Sequence, residues 1–366
     1  MIIGENLYNE RMTPPELTVI VPVLNEKDTL PVLLRTLADQ EGVRLELVIS
    51  DGGSSDGSVE LTRRLGEESA FSVTVLETKC GRAEQLNAGA AAGRGGNLLF
   101  LHADSRFNDR HALRSALDLL HREINSWGNE RVAGSFSLRF DRFGAPPSLP
   151  YYYYESKARL DRPACTHGDQ GIMLRRSYFA EAGPFDNAIP MLAETRLAET
   201  LRQRGEWLLF PAEIITSARR FQAEGLYGRQ VLNAIIMNFS AQGWETFFRE
   251  LPSLYPAHGR SGRLPLLAVL ENIDRLIRAL PLRQRLSLWV ATGAYVRAHA
   301  WQIPFFLDTR RNFRRDLPPG KGETPLLAIH DRWLERLSDH PPGRIVAAIL
   351  TWLWFRLTRL HLRIRS

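Results

Sequence analysis

Four short apolar runs alternate with three helical patterns between residues 17 and 105, and that alternation leaves few folds open. Runs of strand length that are apolar on both faces belong in parallel sheets, whose neighbouring strands need crossover helices between them. Leu17-Thr18-Val19-Ile20-Val21-Pro22-Val23 is the first run. A helical pattern over 27–39 follows it, with Leu30, Leu33, Leu34 and Leu37 on one face. Leu45 to Ser50, Phe71 to Leu76 and Asn97 to Leu101 are the other runs, separated by helical patterns over 58–65 and from Gly81 to Ala90. The order predicts βαβ units: an α/β fold with a Rossmann-like, mostly parallel central sheet flanked by helices.

Three of the runs end in polar clusters, at the end of a parallel sheet where ligands bind. Asn25-Glu26 follows the first strand. Asp51-Gly52-Gly53-Ser54-Ser55-Asp56-Gly57-Ser58 follows the second, with glycines for a tight turn and Ser55 or Asp56 to cap the next helix. His102-Ala103-Asp104-Ser105 follows the fourth, and the Asp104 carboxylate suits a hard divalent cation such as Mg²⁺ or Mn²⁺ against a nucleotide diphosphate. Arg82 stands at a helix N-terminus, where backbone N–H groups already favour an anion.

Beyond residue 105 the pattern predicts a helix from Ala112 to Ile124, a strand from Val132 to Phe140, and a helix opened by Tyr151 to Tyr154. Those four tyrosines read either as the floor of a sugar or acceptor site or as core packing. His167-Gly168-Asp169-Gln170-Gly171 precedes a short strand, Glu194 begins a helix, and Trp207 to Phe210 and Glu213 to Thr216 read as two short strands. From about Gln222 strand-like runs stop. Helical patterns cover Gly228 to Phe248, Leu264 to Leu280, Leu286 to Ala300, Pro325 to Leu337 and Arg344 to His361. The expected organisation is therefore a nucleotide-binding domain over 15–221 and a helical extension over 222–366.

Charge separates the two parts. Residues 259–366 carry 19 Lys and Arg against 8 Asp and Glu, a net of +11 in a chain whose total is +6. A basic third of this kind calls for an anionic partner. In the last helix the run from Ile345 to Phe355 is followed by Arg356, Arg359, Arg363 and Arg365, with Trp352 and Trp354 beside them. Eleven residues are too few to span a bilayer, which needs about 20. The reading is a peripheral anchor on an anionic membrane surface or, equally, a core helix. A nucleic-acid partner has only the basic third in its favour and is not expected. Met1 to Pro15 show no basic segment followed by an apolar one, so no signal peptide is expected, and two cysteines make no disulfide framework. The expected location is the cytoplasm, on the inner face of the cell membrane if the last helix is an anchor.

The ordered pieces Val19-Ile20-Val21-Pro22-Val23-Leu24-Asn25-Glu26, Ser50 to Gly57, Gly81-Arg82-Ala83 and Leu101-His102-Ala103-Asp104 resemble the family 2 glycosyltransferases of the GT-A fold. His102-Ala103-Asp104 and Gly168-Asp169-Gln170-Gly171 are similar to a bacterial subgroup associated with arsenosugar biosynthesis. The resemblance implies an inverting transfer of a sugar from a UDP-linked or related donor to an acceptor hydroxyl, assisted by Mg²⁺ or Mn²⁺. It assigns the nucleotide pocket to Pro22, Asn25, Glu26, Asp51, Arg82, Ala103 and Asp104. It places the metal at Asp104 and at His102, which stands where the family has the first Asp of its Asp-X-Asp motif. Glu194 takes the general-base position, although Ala193 replaces the carboxylate that precedes it in the family. Asp169 and Gln170 fall near the acceptor, where they orient sugar hydroxyls or hold a loop, and Arg219 and Arg220 offer positive charge to the diphosphate.

Two other classes compete. A sugar-phosphate nucleotidyltransferase would share the sheet but carry a glycine-rich turn after the first strand, where this chain has Pro22-Val23-Leu24-Asn25-Glu26. A non-catalytic nucleotide-sugar-binding protein on a degenerate scaffold would explain His102 and Ala193. The sequence names neither the sugar nor the acceptor.

Overall fold

A computed structural model describes residues 14–187, 192–255 and 262–365, and the chain divides after Ser217 into two compact units. The division falls a few residues before the expected boundary at 221/222. Most of the Met1 to Pro15 segment, on which the signal-peptide reading rested, lies outside the described residues.

The first unit opens with β1 (Leu17–Val23), α1 (Leu30–Ala38), β2 (Leu45–Asp51), α2 (Ser58–Glu67), β3 (Ser72–Glu77), α3 (Arg82–Ala92) and β4 (Asn97–Phe100). These four strands run parallel in the order β3-β2-β1-β4. β1, β2 and β4 are buried along their whole length, as apolar runs on both faces require. Leu86, Ala83 and Ala90 of α3 pack with Ile20, Leu98 and Phe100 in one core cluster. A Cβ at Gly89 would lie 2.4 Å from Ile20 Cγ2, so glycine lets α3 lie directly on β1. Each fully buried Leu, Ile or Phe contributes about 1.5–3 kcal/mol.

The rest of the unit is β5 (Arg106–Phe107), α4 (Ala112–Trp127), β6 (Val132–Asp141), α5 (Leu149–Lys157), β7 (Ile172–Arg175), α6 (Arg176–Ala182), α7 (Ala193–Arg204) and β8 (Glu206–Ser217). The complete sheet has eight strands in the order β3-β2-β1-β4-β7-β6-β8-β5. Its β4–β7, β6–β7 and β5–β8 ladders are antiparallel, so the sheet is mixed. The two short strands expected at 207–210 and 213–216 are one strand, β8. Its register against β6 jumps from Phe136↔Phe210 to Ser137↔Glu213, leaving Pro211 and Ala212 as a bulge. Proline donates no ladder hydrogen bond, and a bulge absorbs it.

The second unit is helical: α8 (Arg219–Glu224), α9 (Leu226–Ala241), α10 (Glu245–Leu254), α11 (Leu266–Ala279), α12 (Leu282–Ala298), α13 (Gln302–Phe313), α14 (Pro325–Ile329), a π turn at 330–334, α15 (Glu335–Ser338) and α16 (Pro341–Arg365). The single helix expected over 228–248 is two, interrupted at Gly243, whose φ is +63°. α13 had no counterpart in the sequence reading. The last helix is longer than the eleven-residue run suggested. Residues 341–364 are long and apolar enough to cross a membrane by length and composition, because Leu357, Leu360 and Ile364 continue the apolar pattern between the arginines.

Candidate active site

The carboxyl ends of β1, β2 and β4 and the N-terminus of α3 form the site. The loop after β1 is stitched to the loop after β2. Asn25 takes a left-handed conformation (φ +57°), its N–H donates to Ser54 Oγ at 2.8 Å, and its Oδ1 accepts from Ser55 N–H at 2.9 Å. The backbone N–H groups of Glu26 and Lys27 donate to Ser58 Oγ and Asp56 Oδ2. Asn25 therefore fixes the two loops against each other, with its side-chain oxygen spent on the neighbouring loop. Pro22 lies within β1 opposite Ser50 of β2.

Asp51 terminates β2 and is buried. Its Oδ2 accepts from the N–H groups of Gly53 (2.8 Å) and Ser54 (2.9 Å). Its Oδ1 is shielded from solvent and has no hydrogen-bond partner among the described residues. A buried polar atom without a partner is rare in a folded chain and marks a place for a ligand or water. Gln85, which the sequence reading passed over, fixes this corner. Its Nε2 donates to the carbonyls of Val23 (2.8 Å) and Ser50 (2.7 Å), clamping α3 across the ends of both strands.

Arg82 begins α3, and its Nε donates to Glu194 Oε1 in a close ion pair. Its Nη2 is buried and unpartnered among the described residues. Glu194 begins α7 and is itself buried. His102 Nε2 lies 3.4 Å from the same Oε1. Burial alone would raise the Glu194 pKa. The Arg82 guanidinium and the His102 imidazole outweigh it and hold the carboxyl down at about 2. A Cβ at Gly168 would stand 2.8 Å from Glu194 Oε1 and 2.9 Å from His102 Nε2. Only glycine lets the 168–170 turn come this close.

The turn 102–105 is held by His102 N–H donating to Ser105 Oγ (3.2 Å) and Ser105 N–H donating to the His102 carbonyl (3.1 Å). It buries Ala103 and presents Asp104, which accepts from Thr216 Oγ1 of β8 at 3.5 Å. Asp169 is the third acid of the group. Its pKa is raised, first by burial and then by the negative charges of Asp104 and Glu194, against the opposing pull of His102. Its Oδ1 is shielded and unpartnered among the described residues. Gln170 is a bracket instead: its Oε1 accepts from His167 N–H, and its Nε2 donates to the Phe136 and Ala158 carbonyls.

The structure thus gathers His102, Asp104, Asp169, Glu194 and Arg82, with Asp51 at the same end of the sheet. Arg219 and Arg220 are exposed residues at the start of α8 in the second unit. The tyrosines lean to packing: burial pushes the hydroxyl of Tyr154 up to about 12, that of Tyr153 rises for the same cause, and Tyr152 is buried. Gln85 and Thr216 gave no warning in the sequence; each acts through a neighbour brought to it by the fold.

The donor set can be tested against a divalent cation. Among the described residues no group of three His, Cys, Asp or Glu forms a closed metal cage. Asp104 and the unpartnered Asp169 oxygen are hard ligands that sense one another's charge. They fit an ion such as Mg²⁺ or Mn²⁺ that takes its remaining oxygens from a diphosphate and water.

A parallel half, an acid at the tip of β4 and a mixed second half are the arrangement of the GT-A fold. Residues 18–183, somewhat under half of the chain, match the Glycosyl transferase family 2 description. Over 153 residues the chain is 29% identical to 4,4'-diaponeurosporenoate glycosyltransferase of Staphylococcus haemolyticus, a match covering 38% of each chain. It is 28% identical over 189 residues to the PGL/p-HBAD biosynthesis glycosyltransferase of Mycobacterium bovis, covering 50% of this chain and 68% of that one. The match thus spans under half of the first relative's length and about two thirds of the second's. Among solved structures, a mannosyltransferase from Pyrobaculum calidifontis in complex with GDP-Man and Mn²⁺ aligns over 96% of this chain and 94% of that one, with 17% identity and a TM-score of 0.49.

Proposed function

We propose that the protein is an inverting glycosyltransferase that moves a sugar from a nucleotide diphosphate, UDP by preference, to an acceptor hydroxyl. One observation carries the reading. Three shielded atoms without a hydrogen-bond partner among the described residues stand at the same end of the sheet: Asp51 Oδ1, Arg82 Nη2 and Asp169 Oδ1. They supply an acceptor for a base N–H such as that of uracil, a donor for a phosphate oxygen, and an oxygen for a cation.

Asp104 would hold the cation, with Asp169 beside it, and the ion would neutralise charge on the departing diphosphate. Arg82 adds a positive charge there, aided by the α3 N-terminus. In the transfer the acceptor oxygen bonds to the anomeric carbon, the bond from that carbon to the β-phosphate oxygen breaks, and the nucleotide leaves with the electron pair. The hydroxyl proton passes to a carboxylate on the opposite face. Glu194 is the base in this reading. A carboxylate with a pKa near 2 is a weak base, so it acts once the donor diphosphate has drawn Arg82 away from it.

A second reading is favoured by one observation: the carboxyl with the raised pKa is Asp169, which makes it the better matched proton acceptor. Donor hydrolysis and transfer with UDP-sugars and Mn²⁺ test both readings. Asp104→Asn and chelation should abolish turnover. Loss of turnover in Glu194→Gln at saturating Mn²⁺, with Asp169→Asn needing more Mn²⁺ but still turning over, supports Glu194 as base, and loss in Asp169→Asn at saturating Mn²⁺ with Glu194→Gln active supports Asp169. A wild-type protein that binds UDP-sugars and turns over none of them, across a broad acceptor panel, leaves the non-catalytic reading standing.

A further inference from the structure

The last helix is built inside out for water. Its packed side is the stripe Ala348, Phe355 and Arg359, which meets other helices of the second unit. Ala348 sits against Gly293 of α12 so closely that a Cβ there would be 2.7 Å from Ala348 Cβ. Phe355 meets the Trp289 ring of α12 edge-on, and Arg359 Nη1 lies 2.7 Å from Asp274 of α11. The opposite side carries Val346, Leu350, Leu353, Leu357, Leu360 and Ile364, spaced three and four residues apart. All are exposed, Leu350 at 61%, Leu357 at 63% and Ile364 at 77%. α12 also exposes Leu282, Leu286 and Val290 at helical spacing. An aliphatic stripe on a solvent-facing helix side is the reverse of the ordinary pattern. It marks a surface that something covers.

We infer that this face of α16 docks in the plane of a bilayer that carries anionic headgroups. Charge selects the occupant. The second unit, residues 218–366, carries 23 Lys and Arg against 11 Asp and Glu. Exposed Arg356 falls about a quarter turn from the centre of the aliphatic stripe at 3.6 residues per turn, where its stem can lie on the acyl boundary and its guanidinium group reach phosphates, while Arg363, on the same side, is tied to Glu271 of α11 at 2.7 Å. Arg356 also lies 5.8 Å over the exposed Trp352 ring, an amphipathic pair suited to that depth. A second copy of the chain would bring the same arginines against themselves, whereas anionic lipid attracts them. A transmembrane placement would strip α16 from α12 and leave the Arg359–Asp274 pair in hydrocarbon, so the helix lies on the membrane rather than through it.

The full-length protein is mixed with vesicles of phosphatidylcholine, with and without phosphatidylglycerol, and sedimented. Binding is expected with phosphatidylglycerol and should weaken as salt is raised. Leu350→Glu with Leu357→Glu places charges in the stripe without touching the packed side, and should weaken binding about tenfold or more. Its unchanged melting temperature and circular dichroism would show that the fold survives. Arg356→Glu should weaken the preference for phosphatidylglycerol over phosphatidylcholine. Failure of the wild type to bind either vesicle overturns the inference, as does equal binding by the Leu→Glu variant. So does a dimer in light scattering that this variant disperses while wild-type vesicle binding is absent. None of these readouts involves sugar transfer, so the membrane face and the glycosyltransferase reading stand or fall separately.

Discussion

Arg82 and Glu194 are 112 residues apart in sequence and form a close ion pair between the N-terminus of α3 and the start of α7. The pair joins the nucleotide-binding half to the second half of the sheet at the point where chemistry is expected. Glu194 is 7% exposed and Arg82 31%, so the pair is partly desolvated. Removing one partner of a fully buried pair costs about 3–5 kcal/mol. With Arg82 reaching solvent, Arg82→Ala should cost about 2 kcal/mol, read by urea denaturation. The same variant should return the Glu194 carboxyl towards its ordinary range and weaken UDP binding by calorimetry. An Arg82→Ala protein with unchanged stability and unchanged UDP affinity would show that the contact is incidental.

Gly168 is the narrowest point of the site, with Glu194 Oε1 and His102 Nε2 both under 3 Å from where a methyl would stand. Gly168→Ala should displace one of them by a few tenths of an ångström or more. Since a 1 Å misplacement near the reacting groups costs on the order of 100-fold, turnover should fall by roughly that factor with little loss of melting temperature. Steady-state donor hydrolysis beside a thermal melt separates the two effects.

Asp51→Asn keeps an oxygen for the Gly53 and Ser54 N–H groups and turns the unpartnered acceptor into a donor. A hydrogen bond to a charged group contributes about 1.5–3 kcal/mol, so UDP affinity should fall by roughly 10- to 100-fold. The loop after β2 should remain folded. Calorimetric titration with UDP, compared with a nucleotide whose base offers no matching N–H, checks the direction.

The nucleotide-binding half was legible because its physics is local. Leu17 to Val23 is apolar at nearly every position, and only a strand buried on both faces uses such a run. Asp51 and Asp104 were legible because polar clusters after buried strands have one place to go. The Glu194 environment was not, because Arg82 reaches it through the packing of α3 against α7, and no spacing in the chain encodes that. Gln170 read as a sugar contact or a loop holder, and its buried side chain braces the loop. α13 was missed because Pro304 reads as a breaker, yet it stands in the first turn of Gln302–Phe313, where no intrahelical N–H is required. The apolar span of α16, though not the helix itself, read as too short because Arg356 and Arg359 interrupt the apolar run in sequence while lying off its aliphatic face in space.

His167 gives the pH dependence of the fold a readable sign. Burial, helped by the nearby Lys157 ammonium, lowers the imidazole pKa from 6.5 to about 3. Its Nδ1 lies 3.5 Å from Thr195 Oγ1, so the neutral ring is part of the packing beneath the 168–170 turn. Between pH 6.5 and about 3 the unfolded chain binds a proton at this position that the folded chain does not, so stability falls as pH is lowered. The slope from one such group is about 1.4 kcal/mol per pH unit across that window, and it vanishes above the unfolded pKa. Glu194 works in the same direction at lower pH: its depressed pKa gives stability that is present above the ordinary carboxylate value and lost as pH falls towards 2. His167→Gln removes the first contribution and keeps the second. Urea denaturation of the two proteins should therefore give stability curves that diverge steadily below pH 6.5, with the wild type falling faster. Parallel curves between pH 6.5 and 5 would mean that the ring protonates freely in the folded chain and is not held neutral by burial.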